Sequence, residues 1–138
     1  METLTAIALM TILIGMAVPS FTGLRGPYML RQTSSQIATE FQKARMRAIA
    51  RNARYQLTYN ASTLVYTISK ENSAGSNTWT AEYSGQLPTG ITISTIDIPP
   101  IFDTRGMLNQ GYTITVSAMG YPNTRTVTIN VLGQVTIS

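Results

Sequence analysis

The chain predicts an α+β fold, a long N-terminal α-helix broken near Pro19 and followed by a mainly antiparallel β-sheet globular domain. Three observations carry this. Residues 3–24 are uncharged and largely apolar; residues 28–54 repeat apolar side chains at helical spacing; and from Tyr55 onward the period changes to the alternation of half-buried strands.

The first stretch reads METLTAIALMTILIGMAVPSFTGL, with Glu2 its one charge before Arg25. Its 22 uncharged residues, wound at about 1.5 Å each, would cover roughly 33 Å against a hydrocarbon core of about 30 Å. Pro19 lacks an amide donor and disfavours helix at Val18, so a straight run stops or kinks there, and residues 3–18 alone give roughly 24 Å. A cleaved secretory signal fits poorly, because an acid leads and the exit Met16-Ala17-Val18-Pro19 is no small-x-small site. A buried core helix also fits poorly, since Leu4, Ile7, Leu9, Met10, Ile12, Leu13, Ile14, Met16 and Val18 go all round the helix. A helix that lies first in a membrane and then in another apolar environment fits best. Ser20 to Pro27 follows with two glycines and a second proline, and reads as a loosened connector. Residues 1–27 thus form a hydrophobic helix with its connector, and residues 28–138 a globular domain with helix 28–54 and strands within 55–138.

In the second helix Leu30, Ile37, Phe41, Ala44, Ala48 and Ile49 make one apolar stripe. Lys43, Arg47, Arg51 and Arg54 recur at steps of four, four and three on another face, with Arg45 beside them. Two readings stand for this basic stripe: a solvated face balancing acids on neighbouring molecules, or a weak contact with a nucleic-acid backbone.

The strands follow at Tyr55–Tyr59, Thr63–Ser69, Thr78–Tyr83, Ile91–Ile96, Tyr112–Ser117, Thr124–Val131 and Gln134–Ile137, each rich in Thr, Val, Ile or Tyr. Asn60-Ala61-Ser62, the loop from Glu71 to Asn77, Gly120 to Asn123 and Leu132-Gly133 supply the turns. Val127, Ile129 and Val131 share one face, as do Val135 and Ile137. Between the strands, Asp103 and Arg105 in Ile98-Pro99-Pro100-Ile101-Phe102-Asp103-Thr104-Arg105-Gly106 would pair to hold a turn or meet a neighbouring molecule. Trp79 and Tyr83 read as sheet packing, with an adhesive surface as the alternative.

Composition argues against catalysis. The chain has no histidine and no cysteine, so it lacks the usual general base, zinc ligands and thiolates. Its six acids form no carboxylate motif, and no catalytic, cofactor or metal residue is assigned.

The opening resembles the N-terminus of type IV pilins and type II secretion pseudopilins. In that family the mature chain begins Phe-Thr-Leu-x-Glu and a proline follows the glutamate by seventeen residues, the spacing of Glu2 and Pro19 here, with Gly15 and Ala17 also in family-like places. Met1 stands just before the glutamate, where the family has other residues, and restoring three residues would lengthen the span. Ala44 to Arg54 is similar to the arginine-rich helix end of the GspH/FimT-like branch, and Phe102-Asp103-Thr104-Arg105-Gly106 to its Phe-Asp-x-Arg-Gly element. DNA-binding members of that branch carry Gly-Arg-x-Arg near the C-terminal strands; Gly133-Gln134-Val135-Thr136 keeps the glycine and loses both arginines.

The resemblance implies a structural subunit of a type IV pilus-like or type II secretion pseudopilus filament. Such a subunit is anchored in the bacterial inner membrane, is extracted by the assembly machinery, and polymerises with itself and other pilins into a periplasmic or extracellular filament. Glu2, Leu4, Ile7, Met10, Leu13, Gly15 and Pro19 are the assembly residues it implies, and the segment from Gly15 to Pro27 would melt on assembly. A minor subunit that primes assembly or takes part in DNA uptake is the first alternative, and a single-span envelope binding module the second. DNA contact through Lys43, Arg47, Arg51 and Arg54 is expected to be weak at best, given a net charge of only +4.

Overall fold

The computed structural model of the chain describes Ile7, Met10 and residues 19–94 and 96–138, with the side chains of Ile7, Met10 and of these residues from Arg25 onward. Its spine is a helix, α1 (Pro19–Arg51), about 50 Å long at the usual rise. Eight strands follow: β1 (Tyr55–Asn60), β2 (Val65–Glu71), β3 (Trp79–Gln86), β4 (Ile91–Ile93), β5 (Ile101–Phe102), β6 (Tyr112–Ala118), β7 (Thr124–Ile129) and β8 (Val135–Ile137). They form two four-stranded antiparallel sheets, ordered β3-β2-β1-β5 and β4-β6-β7-β8, and the helix packs on both.

The apolar stripe of α1 faces the sheets, with Leu30, Ile37, Phe41, Ala44 and Ala48 buried against alternate residues of the strands, whereas Ile49, expected in the same stripe, is half exposed. Thr33, Ser34, Ala44 and Ala48 are small and fully covered, which lets the helix lie close. The Ser34 hydroxyl satisfies itself on the Leu30 carbonyl at 2.7 Å. Beneath the helix the alternation predicts the inward set: Tyr112, Ile114, Val116 and Ala118 of β6 and Val127 and Ile129 of β7 are buried. Phe41 meets Phe102 edge-to-face with ring centres 6.2 Å apart, joining helix and first sheet.

Several expectations on local structure are corrected. The connector expected over 20–27 is helix, and α1 continues through Pro27. Proline removes one rung of the ladder at a cost of about 3 kcal/mol, but burial of Leu30 and of the tail of the apolar stripe is a tertiary gain that propensity does not count. The helix ends at Arg51 rather than Arg54. Asn52 takes a left-handed φ of 47°, and the amides of Asn52 and Ala53 bond back to the carbonyls of Ile49 and Ala48 at 3.3 and 3.2 Å, a Schellman motif. The strand expected to reach Ile96 ends at Ile93, and that expected to reach Val131 ends at Ile129. The two residues after Pro99-Pro100 form a strand, where Phe102 pairs with Tyr55 and Ile101 with Gln56.

Among the described residues no helix is long and apolar enough to cross a membrane. The expected span over residues 3–18 lies outside them except for Ile7 and Met10.

Candidate functional site

Helical spacing gathers Lys43, Arg47 and Arg51 on one face of α1, with Arg54 just beyond its end. This face does not stand free. Lys43 Nζ lies 2.7 Å from Glu40 Oε1, Arg51 Nη1 2.6 Å from Glu82 Oε1, and Arg54 Nη1 2.8 Å from Glu71 Oε1; Arg47 Nη1 is 3.9 Å from Glu82 Oε2. Lys43 and Arg47 also sit over the Tyr83 ring, 5.8 and 5.7 Å from its centre, and Arg54 over Trp79 at 5.7 Å. The Tyr55 hydroxyl donates to Glu82 Oε2 at 3.0 Å and accepts from Arg51 at 3.4 Å.

Glu82 occupies this position because of a β-bulge. Ile68 pairs with Tyr83 and Ser69 with Ala81, so Glu82 is an extra residue on β3 with no opposite number. A bulge re-aims a side chain that regular alternation sends elsewhere, and here it delivers a carboxylate to two arginines and a tyrosine. Glu71, with a side chain 2% exposed, also accepts the Asn77 amide at 3.0 Å, so the Arg54 pair is tied into the loop after β2.

Titration follows this geometry. The hydrogen bond to Glu40 raises the Lys43 ammonium above its usual value. Burial first, and then the bond to Glu82, push the Tyr55 phenol upward. The stripe is therefore a row of counter-charged side chains whose acids lie on the same chain, and the acids on neighbouring molecules that the sequence suggested are not needed to balance it.

A second cluster closes the far end of the helix. Gly106 and Gly133 adopt left-handed φ values of +76° and +73°, and both press against Arg45. A Cβ on Gly106 would stand 2.7 Å from Ile49 Cδ1, and one on Gly133 2.9 Å from both Arg45 Cδ and the Gly106 carbonyl oxygen. Asp103 builds the first of these turns, since its Oδ1 accepts the amides of Arg105 and Met107 at 2.9 and 2.8 Å and its Oδ2 the Arg105 Nε at 3.3 Å. Burial alone would raise this carboxyl, but the Met107 and Arg105 donors outweigh it and hold Asp103 below its usual value. Of the two readings of Asp103 and Arg105, the pair holds the turn. The glycine of the Gly133–Thr136 segment is a packing glycine beside Arg45, and Gln134 and Thr136 stand exposed.

The remaining site residues are not brought together with these. Glu2, Leu4, Leu13 and Gly15 lie outside the described residues; Ile7 and Met10 are helical and 64% and 68% exposed; Pro19 is the first residue of α1. The space between helix and sheets near Ile37, Phe41, Leu57 and Ile114 measures about 30 Å³, room for a single water. Among the described residues no group of acidic side chains could hold a metal ion. Sequence reasoning missed Glu40, Glu71 and Glu82. Glu40 carried a signal, three residues before Lys43, whereas Glu82 depends on a bulge that no residue pattern announces.

Comparisons with known proteins agree with this architecture. The minor pseudopilin EpsH from the type 2 secretion system of Vibrio cholerae superposes with a TM-score of 0.64 at 12% identity, covering 79% of this chain and 95% of that one. The type IV minor pilin FimU of Pseudomonas aeruginosa gives 0.65 at 14% identity, covering 79% and 87%. No curated protein matches the chain in sequence. The family model described as type II transport protein GspH matches residues 33–133, nearly three-quarters of the chain and the part that holds the charged row and both glycine turns. The chain belongs to the GspH branch of the type IV pilin and type II secretion pseudopilin family.

Proposed function

We propose that the protein is a structural subunit of a type IV pilus-like or type II secretion pseudopilus filament. Residues 1–27 hold it in the inner membrane before assembly, and residues 28–138 form the domain carried out with it. The observation that carries this reading is the family match over residues 33–133, on a chain whose preceding residues 3–24 are uncharged. Its mechanism is assembly and not catalysis. Apolar side chains such as Leu4, Ile7, Met10 and Leu13 would exchange lipid for the helices of neighbouring subunits, each worth about 1.5 to 3 kcal/mol when kept from water. Glu2 would pair there with a neighbour's N-terminal amine, because a carboxylate in an apolar core is costly alone. Gly15 and Pro19 would let the segment up to Pro27 melt as subunits pack, starting from the helix found over Pro19–Arg51.

A minor, priming role is the favoured form of this reading, since both solved relatives above are described as minor subunits. Cysteines at Met10 and Met16 test it in intact cells. Cross-linked species larger than the monomer are expected, a ladder of self-multimers if the subunit is major and adducts with other pilins if it is minor, and a monomer alone would establish the single-span envelope module instead. In the same cells Glu2→Val should stay in the membrane yet enter filaments poorly, and normal incorporation would remove the carboxylate from the mechanism.

A further inference from the structure

Half of the ten cations in the chain are spoken for: Lys43, Arg47, Arg51, Arg54 and Arg105 all have carboxylates. Among the described residues the other five, Arg25, Arg31, Arg45, Lys70 and Arg125, have none; Arg45 packs against Gly106 and Gly133 and Lys70 lies on β2, whereas Arg25, Arg31 and Arg125 lie at one place, where α1 meets the β6–β7 turn. Two open hollows of about 380 and 550 Å³ flank Tyr121 there; Arg25 borders the first, Arg31 and Arg125 the second, and no acid borders either. The turn is clamped to the helix by a missing side chain, since a Cβ on Gly26 would stand 2.8 Å from Tyr121 Cγ. At its tip Met119 is 85% exposed, and Tyr28 on the helix beside it 69%.

Unpaired guanidiniums, tyrosines and a bare thioether on one rim are the chemistry of a bilayer interface. Arginine reaches phosphate with its fork, tyrosine is enriched at headgroup level, and a projecting apolar side chain gains by entering the acyl boundary. The position agrees with the chemistry. Arg25 is the first charge after the uncharged residues 3–24, so this rim is the part of the domain nearest the point where that segment joins it.

We infer that the β6–β7 turn and the start of α1 form a second membrane contact, in which Arg25, Arg31 and Arg125 bind the phosphates of anionic lipids and Met119 dips below them. This rests on the anchored state proposed above. It lays the globular domain on the membrane before assembly, so extraction must break a headgroup contact as well as withdraw a helix.

The chain has no cysteine, which makes single labels clean. The full-length protein is reconstituted in phosphatidylcholine bilayers with and without roughly one-third phosphatidylglycerol, carrying a polarity-sensitive dye at Met119→Cys or, separately, at Met10→Cys. The position-119 dye should shift to the blue and be quenched by headgroup-labelled lipid in the anionic bilayer, roughly twofold more than in the neutral one. Arg25→Gln, Arg31→Gln and Arg125→Gln together should return it to its aqueous emission while the thermal unfolding midpoint and the position-10 dye stay unchanged. A position-10 dye in water would refute the anchored state itself. A position-10 dye in lipid with a position-119 dye in water in both bilayers refutes only the second contact. So does tight binding of a labelled single-stranded oligonucleotide that the triple variant abolishes, which would assign the rim to nucleic acid.

Discussion

The two ends of α1 use their cations in opposite ways. Toward the C-terminus Lys43, Arg47, Arg51 and Arg54 regularly repeat, and each meets a carboxylate or ring of its own chain. Toward the N-terminus Arg25 and Arg31, with Arg125 across from them, follow no pattern and meet no acid among the described residues. Periodicity marks the end where the helix is packed on a sheet, and such a row is part of the structure. A cation left unpaired beside exposed apolar groups says more about a partner than a stripe does.

The contrast in packing is the easiest to break. Phe41 is 1% exposed, and Phe41→Ala should cost about 3–5 kcal/mol in urea denaturation, whereas Tyr28→Ala at the other end should stay within about 0.5 kcal/mol. Equal losses would mean that both ends are core. Next comes charge. Removing the Glu71 carboxylate by Glu71→Ala leaves Arg54 and the Asn77 amide without their acceptor and should cost about 1–3 kcal/mol, while Arg31→Gln should be neutral within about 0.5 kcal/mol.

Releasing the paired arginines sharpens the comparison further. The parent should show no mobility shift with duplex DNA at about 150 mM salt, and Glu71→Gln with Glu82→Gln should bind roughly tenfold more tightly at low salt by freeing Arg47, Arg51 and Arg54. Tight binding by the parent at that salt, abolished by Arg47→Ala with Arg51→Ala, would make the row a nucleic-acid site after all. The smallest effect belongs to pH. Because the folded-state carboxyl of Asp103 is held below its ordinary 3.8, its share of stability is complete above that value and is lost as pH falls through the lower folded one. Asp103→Asn should flatten that acid limb by less than about 1 kcal/mol, as expected of a half-exposed group.

Much of this was legible in the residues. The order of one long helix before antiparallel strands, the apolar stripe from Leu30 to Ala48 and the alternation of β6 and β7 follow from periodicity alone, because each element buries a face that its own period defines. The helical course through Pro27 was not legible, since burial of Leu30 outweighs a local breaker. Nor was β5, two residues long and made a strand only by Tyr55 and Gln56 opposite. At the site, the four cations of the row stood out at once, but the acids that neutralise them come from strands whose facing depends on tertiary register. The unpaired rim escaped notice for the same reason: Arg125 joins Arg25 and Arg31 only when the β6–β7 turn folds onto Gly26.

The bulge at Glu82 has one more effect. Strand β3 is the outer member of its sheet, eight residues long and largely exposed, and an edge of that length is a template on which another chain can add a strand. Glu82 interrupts it near the middle and twists the ladder, so an incoming strand finds only short stretches in register on either side. That break in the edge guards against sheet-to-sheet aggregation and leaves association to other surfaces.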